Sequence, residues 1–232
     1  MSDTDTALPI DKLGSYLADH IEDFGTLQSA EKFSEGQSNP TYLLVTDREK
    51  YVLRKKPGGP ILPSAHAVDR EFRVMSALAS TAVPVPTMHL LCEDEEVIGT
   101  IFYVMEFIDG DLHLDARLQS VAEPARRGAI YDQMNLVLAD LHKVDVAAVG
   151  LDDYGRPGNY FERQLNRWSK QYSASETEQI DAMNQLMEWL PAQMPEDDGR
   201  VSLIHGDYRL DNMMFSRGGS KIIALLDWEL ST

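Results

Sequence analysis
The residues best suited to chemistry in this chain lie in one short stretch, His205-Gly206-Asp207-Tyr208-Arg209-Leu210-Asp211-Asn212, and in Asp227-Trp228-Glu229, which begins fifteen residues further on. Asp207, Asn212 and Asp227 offer two carboxylates and a neutral carboxamide oxygen. These are hard donors of the kind Mg²⁺ accepts while keeping part of its water. Transfer of a phosphoryl group to a hydroxyl needs this set: metal offsets phosphate charge, and a carboxylate orients the attacking hydroxyl. In that division of labour Asp207 takes the hydroxyl, and Asn212 and Asp227 hold the metal.

Such residues must be brought together by the elements around them. The apolar run Val201-Ser202-Leu203-Ile204 predicts a strand that delivers the loop. Met213-Met214-Phe215 leaves it, Ser216-Arg217-Gly218-Gly219 turns the chain, and Ile222-Ile223-Ala224-Leu225-Leu226 returns to Asp227 as the second arm of a hairpin. Upstream, 41–46 and 51–55 read as two strands joined by Asp47-Arg48-Glu49-Lys50, with Leu90-Leu91-Cys92 and 97–105 as two more around the acidic turn Glu93-Asp94-Glu95-Glu96. Small polar residues before the first hairpin, Ser34, Gly36, Ser38 and Asn39, suit a loop whose backbone amides lie over phosphates, or an ordinary turn.

Ile10, Leu13, Leu17 and Ile21 recur at helical spacing, as do Val68, Phe72, Met75 and Leu78 in a helix preceded by Pro63 and Ser64. After Gly110 the pattern turns from hairpins to helices. One carries Ile130, Met134, Val137, Leu138 and Leu141. A second carries Tyr160, Phe161, Leu165, Trp168 and Tyr172. A third, with Ser175 and Glu178 as a capping box, carries Ile180, Met183, Met187 and Leu190 before Pro191. The aromatic and methionine positions of these helices are expected in the core.

The step from Asp207 to Asn212 equals the D-x-x-x-x-N step of the protein-kinase catalytic loop. The H-G-D-x-x-x-x-N loop with its later D-W-E resembles the aminoglycoside phosphotransferase family of small-molecule kinases. Phe33-Ser34-Glu35-Gly36-Gln37-Ser38-Asn39-Pro40-Thr41-Tyr42 and Leu62-Pro63-Ser64-Ala65-His66-Ala67-Val68-Asp69-Arg70-Glu71 are similar to the branch of that family found fused to, or encoded beside, acyl-CoA dehydrogenases. The resemblance runs from about Phe33 to Thr232. It implies an α+β, bilobal protein-kinase-like fold with an N-terminal lobe, residues 1–108, of antiparallel sheet plus helix, and a mostly helical, incomplete C-terminal lobe, residues 109–232. The family continues past the D-W-E position with a long helical segment that finishes the lobe and its acceptor pocket, so the resemblance also implies a chain shortened there.

By the same resemblance Ser34, Gly36, Ser38 and Asn39 cover the phosphates of ATP, and the backbone around Glu106 and Phe107 meets the adenine. Arg54 takes the place of the protein-kinase lysine that contacts the α- and β-phosphates; the fork of an arginine can hold phosphate bidentately. Lys55 and Lys56 compete with it for that role. Glu71, off the apolar stripe of its helix, matches the glutamate that pairs with that basic residue, its alternative being a surface carboxylate. His205 steadies the loop. Arg209 either stabilises the transferring phosphoryl or pairs with Asp211, and Glu229 supports the metal shell or binds nothing.

Composition bounds the reading. With 232 residues and 43% apolar content the chain can bury a core as one domain or two lobes, and its single cysteine, Cys92, permits no internal disulfide, as in a reducing compartment. A formal net charge of −17 argues against general nucleic-acid or anionic-membrane binding. The apolar runs are far shorter than a membrane span, so a cytoplasmic protein is the expectation. The field favours cationic acceptors, while the branch resemblance favours a hydroxyacyl-CoA or related metabolite, with an acyl-CoA dehydrogenase as functional partner. The expected activity is ATP- and Mg²⁺-dependent transfer of the γ-phosphoryl group to a hydroxyl on a small molecule. An aminoglycoside kinase is the alternative within that chemistry, and a non-catalytic nucleotide-binding or interaction module the alternative from another class.

Overall fold
Branched and aromatic runs form the two strands of the hairpin that the sequence predicts over 41–55. In the computed structural model, which describes residues 8–33, 39–58, 67–156 and 158–232, the first half of the chain builds a five-stranded sheet. Its strands are β1 (Leu27–Lys32), β2 (Thr41–Thr46), β3 (Lys50–Lys55), β4 (Met88–Cys92) and β5 (Phe102–Glu106), in the order β1-β2-β3-β5-β4 with every neighbouring pair antiparallel. Successive side chains of a strand point to opposite faces. Tyr51 and Leu53 of β3 therefore join Phe102 and Val104 of β5 in one core, closed by Leu13 and Leu17 of helix α1 (Ile10–His20).

Val52 lies on the other face with Tyr103 and Met105. There the sheet meets helix α2 (Val68–Leu78) and a core that continues through Ile130 and Leu141 of α3 (Pro124–His142) to Phe215 and Trp228. Arg54, two residues beyond Val52, opens onto this second face, and the register sets it opposite Tyr103 on β5. The second half adds α4 (Tyr160–Ser175), α5 (Asp181–Ala192), a short 3₁₀ turn (Leu210–Asn212) and the hairpin of β6 (Met213–Phe215) and β7 (Ile222–Leu225). Two backbone hydrogen bonds between Asp111 and Phe215, 2.8 and 2.9 Å, fasten the segment after Gly110 to that hairpin. The arrangement is the expected α+β one. Among the described residues no helix is long and apolar enough to cross a membrane.

Four local expectations are corrected. The strand expected over 97–105 begins only at Phe102, because Val97 and Gly99 donate back to Asp94 and Glu95 at 3.3 and 2.7 Å and Gly99 adopts φ 86°. The run 201–204 is not a strand: its ladder is the single pair Ile204 and Thr232, which exchange hydrogen bonds of 2.8 and 2.9 Å. Ser175 is the last residue of α4, with its hydroxyl donating back to Gln171 and Tyr172 carbonyls, so it caps nothing downstream; α5 starts at Asp181 after Ile180. The aromatic stripe of α4 and the apolar face of α5 are not core either. Neither helix has a buried residue, and Phe161, Trp168 and Trp189 are 63%, 58% and 58% exposed. Periodicity reveals an amphipathic face but not whether another element covers it.

The loop between Ile204 and Asp207 depends on a close approach. Gly206 has φ +89° and a side-chain carbon there would stand 2.4 Å from the Leu230 carbonyl oxygen, whereas Gly218, at φ +64°, faces open space. Gly218→Ala is expected to cost about 1 kcal/mol for the left-handed backbone, lowering the thermal midpoint by about 2–4 °C. Gly206→Ala should lower it at least twice as far. Equal losses in a thermal scan would mean that contact with Leu230 does not fix the loop.

Candidate active site
Strand alternation, a helix and a hairpin converge on one guanidinium. Arg54, at the end of β3, donates to Asp227 Oδ1 at 2.6 Å and lies 3.4 Å from Glu71 Oε1 and 3.7 Å from Glu229 Oε2. Glu71 is wholly buried on the sheet-facing side of α2. Its carboxylate accepts hydrogen bonds from the Tyr103 hydroxyl at 3.2 Å and from Asn39 Nδ2 at 3.0 Å. Asn39 Nδ2 also reaches Glu229 Oε2 at 3.4 Å, and its Oδ1 is buried without a hydrogen-bond partner among the described residues. Lys55, one of the two competitors, lies on the opposite face with its ammonium 5.7 Å from the Tyr42 ring centre.

The catalytic-loop candidates form a second group beside the first. Asn212 Nδ2 donates to both the carbonyl oxygen and Oδ2 of Asp207, each at 2.9 Å, which leaves its own Oδ1 as an oxygen donor. The Asn212 carbonyl accepts from Leu226 N–H at 2.8 Å, one residue before Asp227. Asp227 itself adopts φ 65°, a left-handed conformation uncommon for a residue with a side chain and one that clusters at functional sites. His205 Nε2 donates to the Leu226 carbonyl at 2.9 Å, while its Nδ1 accepts from Asp207 N–H at 3.3 Å. Both ring nitrogens are thus committed as in a neutral imidazole, and burial lowers the pKa of the ring.

Some candidates lie elsewhere. Ser34, Gly36 and Ser38 fall outside the described residues. Arg209 turns its Nε to Asp211 and its side chain is 59% exposed, so of its two readings the carboxylate pairing is the one formed. Glu106 N–H donates to the Thr87 carbonyl at 2.8 Å and its carboxylate accepts from Thr87 N–H at 3.1 Å, while Phe107 is partly buried with the Lys50 ammonium 5.5 Å from its ring centre. Among the described residues no hydrogen bond or ion pair joins either to the Arg54 group. Tyr103 was not singled out by the sequence, and the signal for it was its register opposite Arg54. A cleft of about 450 Å³ beside the start of α4, lined by Tyr160, Phe161, Leu203 and Thr232 among others, includes none of the candidate residues.

The electrostatics explain what this arrangement can hold. Burial opposes the charge of Arg54, but Glu71, Tyr103 and Asp227 outweigh it and keep the guanidinium pKa above its ordinary value. Three carboxylates nevertheless share one guanidinium, and the excess negative charge suits a divalent cation. Among the described residues no group of three His, Cys, Asp or Glu side chains is arranged to hold a metal unaided. One carboxylate and one carboxamide fit Mg²⁺ because that ion keeps its waters and takes its other oxygens from phosphate.

Burial, against the pull of Arg54, pushes Glu71 from its ordinary 4.5 up to about 7, with Asp227 and Glu229 adding repulsion. Between those two values the folded chain keeps a proton that the unfolded chain has released, so this group makes stability fall as pH rises from 4.5 to about 7. The midpoint of the wild-type chain, taken relative to that of Glu71→Gln, is expected to decline across that window and level off above it. A pH-independent difference would show that Glu71 ionises as an ordinary carboxylate.

A family model described as "phosphotransferase enzyme family" matches residues 29–232. Acyl-CoA dehydrogenase family member 10 of Mus musculus is 48% identical over 227 residues, which is 97% of this chain and 21% of that protein. The crystal structure of a putative aminoglycoside phosphotransferase from Ralstonia eutropha superposes with a TM-score of 0.86 at 53% identity, over 96% of this chain and 65% of that one. A thermostable variant of an aminoglycoside phosphotransferase, in ternary complex with AMP-PNP and hygromycin B, shares the fold with a TM-score of 0.62 at 19% identity, over 95% of this chain and 71% of that one. The chain spans about a fifth of the mouse protein and about two thirds of the Ralstonia one. A model match over most of the sequence, on an α+β fold shared with aminoglycoside phosphotransferases, makes this chain a member of the phosphotransferase enzyme family with its kinase-like fold.

Proposed function
We propose that the chain binds ATP with Mg²⁺ and transfers the γ-phosphoryl group to a hydroxyl on a small molecule. The observation that carries this reading is the convergence on Arg54 of Glu71 from α2 and Asp227 from the hairpin, beside an Asp207 held by Asn212. In this reading residues 1–108 form a nucleotide-binding lobe and 109–232 a catalytic one. Arg54, freed from Asp227 and steadied by Glu71, clasps the α- and β-phosphates, and Asn39, with Ser34, Gly36 and Ser38, binds the nucleotide. Since Glu106 N–H is already used, the adenine falls to the Glu106 carbonyl and the Phe107 amide.

Asp207 orients the acceptor. With Oδ2 held by Asn212, Oδ1 accepts the hydrogen bond of the substrate hydroxyl. As the oxygen bonds to the γ-phosphorus and the bond to the ADP oxygen breaks, the hydroxyl proton passes to Asp207. Mg²⁺, when bound, supplies neutralisation of phosphate charge, and Asn212 Oδ1 and Asp227 are the residues that would hold it. Arg209, if it swings from Asp211, supplies a further positive charge to the phosphoryl oxygens.

A hydroxyacyl-CoA or related metabolite is the acceptor we favour, because the 48% identical mouse relative bears the name of an acyl-CoA dehydrogenase family. An enzyme of that kind is then the functional partner. An aminoglycoside is the second reading, favoured by the name of the 53% identical Ralstonia structure and by the net charge of −17. A cytoplasmic setting suits the buried, unpaired Cys92 and an ATP-dependent reaction.

Titration of the purified chain with ATP, with and without Mg²⁺, tests the nucleotide site; the reading requires binding that is strengthened by the metal. Asp207→Ala is expected to cut phosphoryl transfer by at least about a hundredfold while leaving Mg²⁺-ATP affinity nearly unchanged. Asp227→Ala should weaken the metal-dependent part of binding as well. Comparable binding loss in both variants, or full activity in the first, would overturn these roles.

A further inference from the structure
The arrangement around Arg54 contains a mechanical problem. Glu71, Asp227 and Glu229 sit on two separate segments, repel one another, and are drawn together by one guanidinium. Their own charges push α2 and the segment carrying Asp227 apart, and one guanidinium shared among three carboxylates is helped by contacts behind the charged face.

The residues that do it flank Glu71 and Asp227. Arg70, next to Glu71 on α2, donates to the Tyr154 carbonyl at 3.0 Å and to the Ser231 carbonyl at 3.3 Å, and its guanidinium stacks 4.0 Å from the centre of the Tyr154 ring. One helical turn on, Arg73 donates to the Gly150 carbonyl at 2.9 Å and pairs with Asp153, so two arginines of α2 grip the same loop. Tyr154 is 4% exposed and Ser231 is 5% exposed, and the two hydroxyls are 2.6 Å apart. The direction of that bond follows from the proton count. Ser231 Oγ gives its single proton to the Trp228 carbonyl at 2.5 Å, so it must accept from Tyr154, whose proton goes there in preference to the Arg70 carbonyl at 3.3 Å. Trp228, adjacent to Asp227, is fully buried and anchored by its own Nε1 to the Leu225 carbonyl at 2.9 Å. Hydrogen bonds of 3.0, 2.6 and 2.5 Å thus tie Arg70 to the Tyr154 carbonyl, the Tyr154 hydroxyl to Ser231, and Ser231 to the residue beside Asp227.

We propose that Arg70 and Tyr154 are positioning residues of the phosphotransfer site, locking α2 to the 227–231 segment so that Glu71 stays beside Arg54, and Asp227 beside the metal position, when nucleotide binds. This inference rests on the proposed nucleotide site. Neither residue touches the reacting groups; they act through Glu71 and Asp227. Neutral hydroxyls and carbonyls suit the task, because they add no further negative charge behind three carboxylates.

The test is a double-mutant cycle read by calorimetric titration of the full chain with Mg²⁺-ATP. Tyr154→Phe keeps the ring under Arg70 and removes only the hydroxyl; Arg70→Lys keeps the charge but loses the fork that spans two carbonyls. Each should stay folded and weaken Mg²⁺-ATP binding by about fivefold, and in a Glu71→Gln background the same change should add less than about twofold, because the residue it acts through is already altered. Unchanged affinity in both variants overturns the proposal, as does an equal loss in both backgrounds, which is the signature of a merely structural role. Failure of the unaltered chain to bind Mg²⁺-ATP is a different result, seen in the first titration, and sinks the nucleotide reading together with this one.

Discussion

A single positive charge with more carboxylate than it can neutralise organises this molecule. Arg54 is held against Glu71, Asp227 and Glu229 where water is largely excluded, and charges so placed interact far more strongly than on the surface. Strand pairing brings Arg54 opposite Tyr103, the face of α2 supplies Glu71, and the return of the β6–β7 hairpin supplies Asp227. Each of those segments is far from the others in sequence, so the site exists only when the whole fold does. A group left short of positive charge joins these segments, and in the proposed reading the same residues meet the metal and the nucleotide.

The second constraint is the packing beneath the loop. Trp228 fills the core with its indole 4.5 Å from the His205 ring, and His205 bridges Asp207 to the Leu226 carbonyl. The neutral imidazole acts as a spacer between the two acidic residues of the site, a use that needs its two differently directed nitrogens rather than its proton chemistry. The left-handed Asp227 follows from this geometry. The chain must leave β7, present a carboxylate to Arg54 and at once bury an indole on the other side, and ordinary extended backbone does not turn that sharply.

Much of this was legible in the sequence because its signals are local. The hairpin over 41–55, the helix with Val68 to Leu78 and the spacing of Asp207, Asn212 and Asp227 each declare themselves within a few residues, and the family resemblance ties them together. Other features escaped because they depend on partners remote in sequence. Tyr103 reads as one more apolar strand residue until the register sets it against Arg54, and Ser231 reads as a polar residue in a tail until Tyr154 arrives from seventy-seven positions away. The run 201–204 has the composition of a strand but finds a ladder partner only at Ile204. The stripe of α4 illustrates the opposite failure: a pattern that predicts burial faithfully describes an amphipathic face, yet leaves unsaid whether that face is covered.

That uncovered pair of helices gives the molecule an uneven resistance to opening. α4 and α5 are 16 and 12 residues long and no residue of either is fully buried, and helices of that length are marginal in water without packing to hold them. Their amide hydrogens can therefore exchange with solvent by unwinding of the pair alone. Those of β3 and β5, flanked by two cores, exchange only when the sheet itself comes apart. A protease probing the native chain would find its first cut where the aromatic rings already stand in water, well away from the guanidinium that holds the rest together.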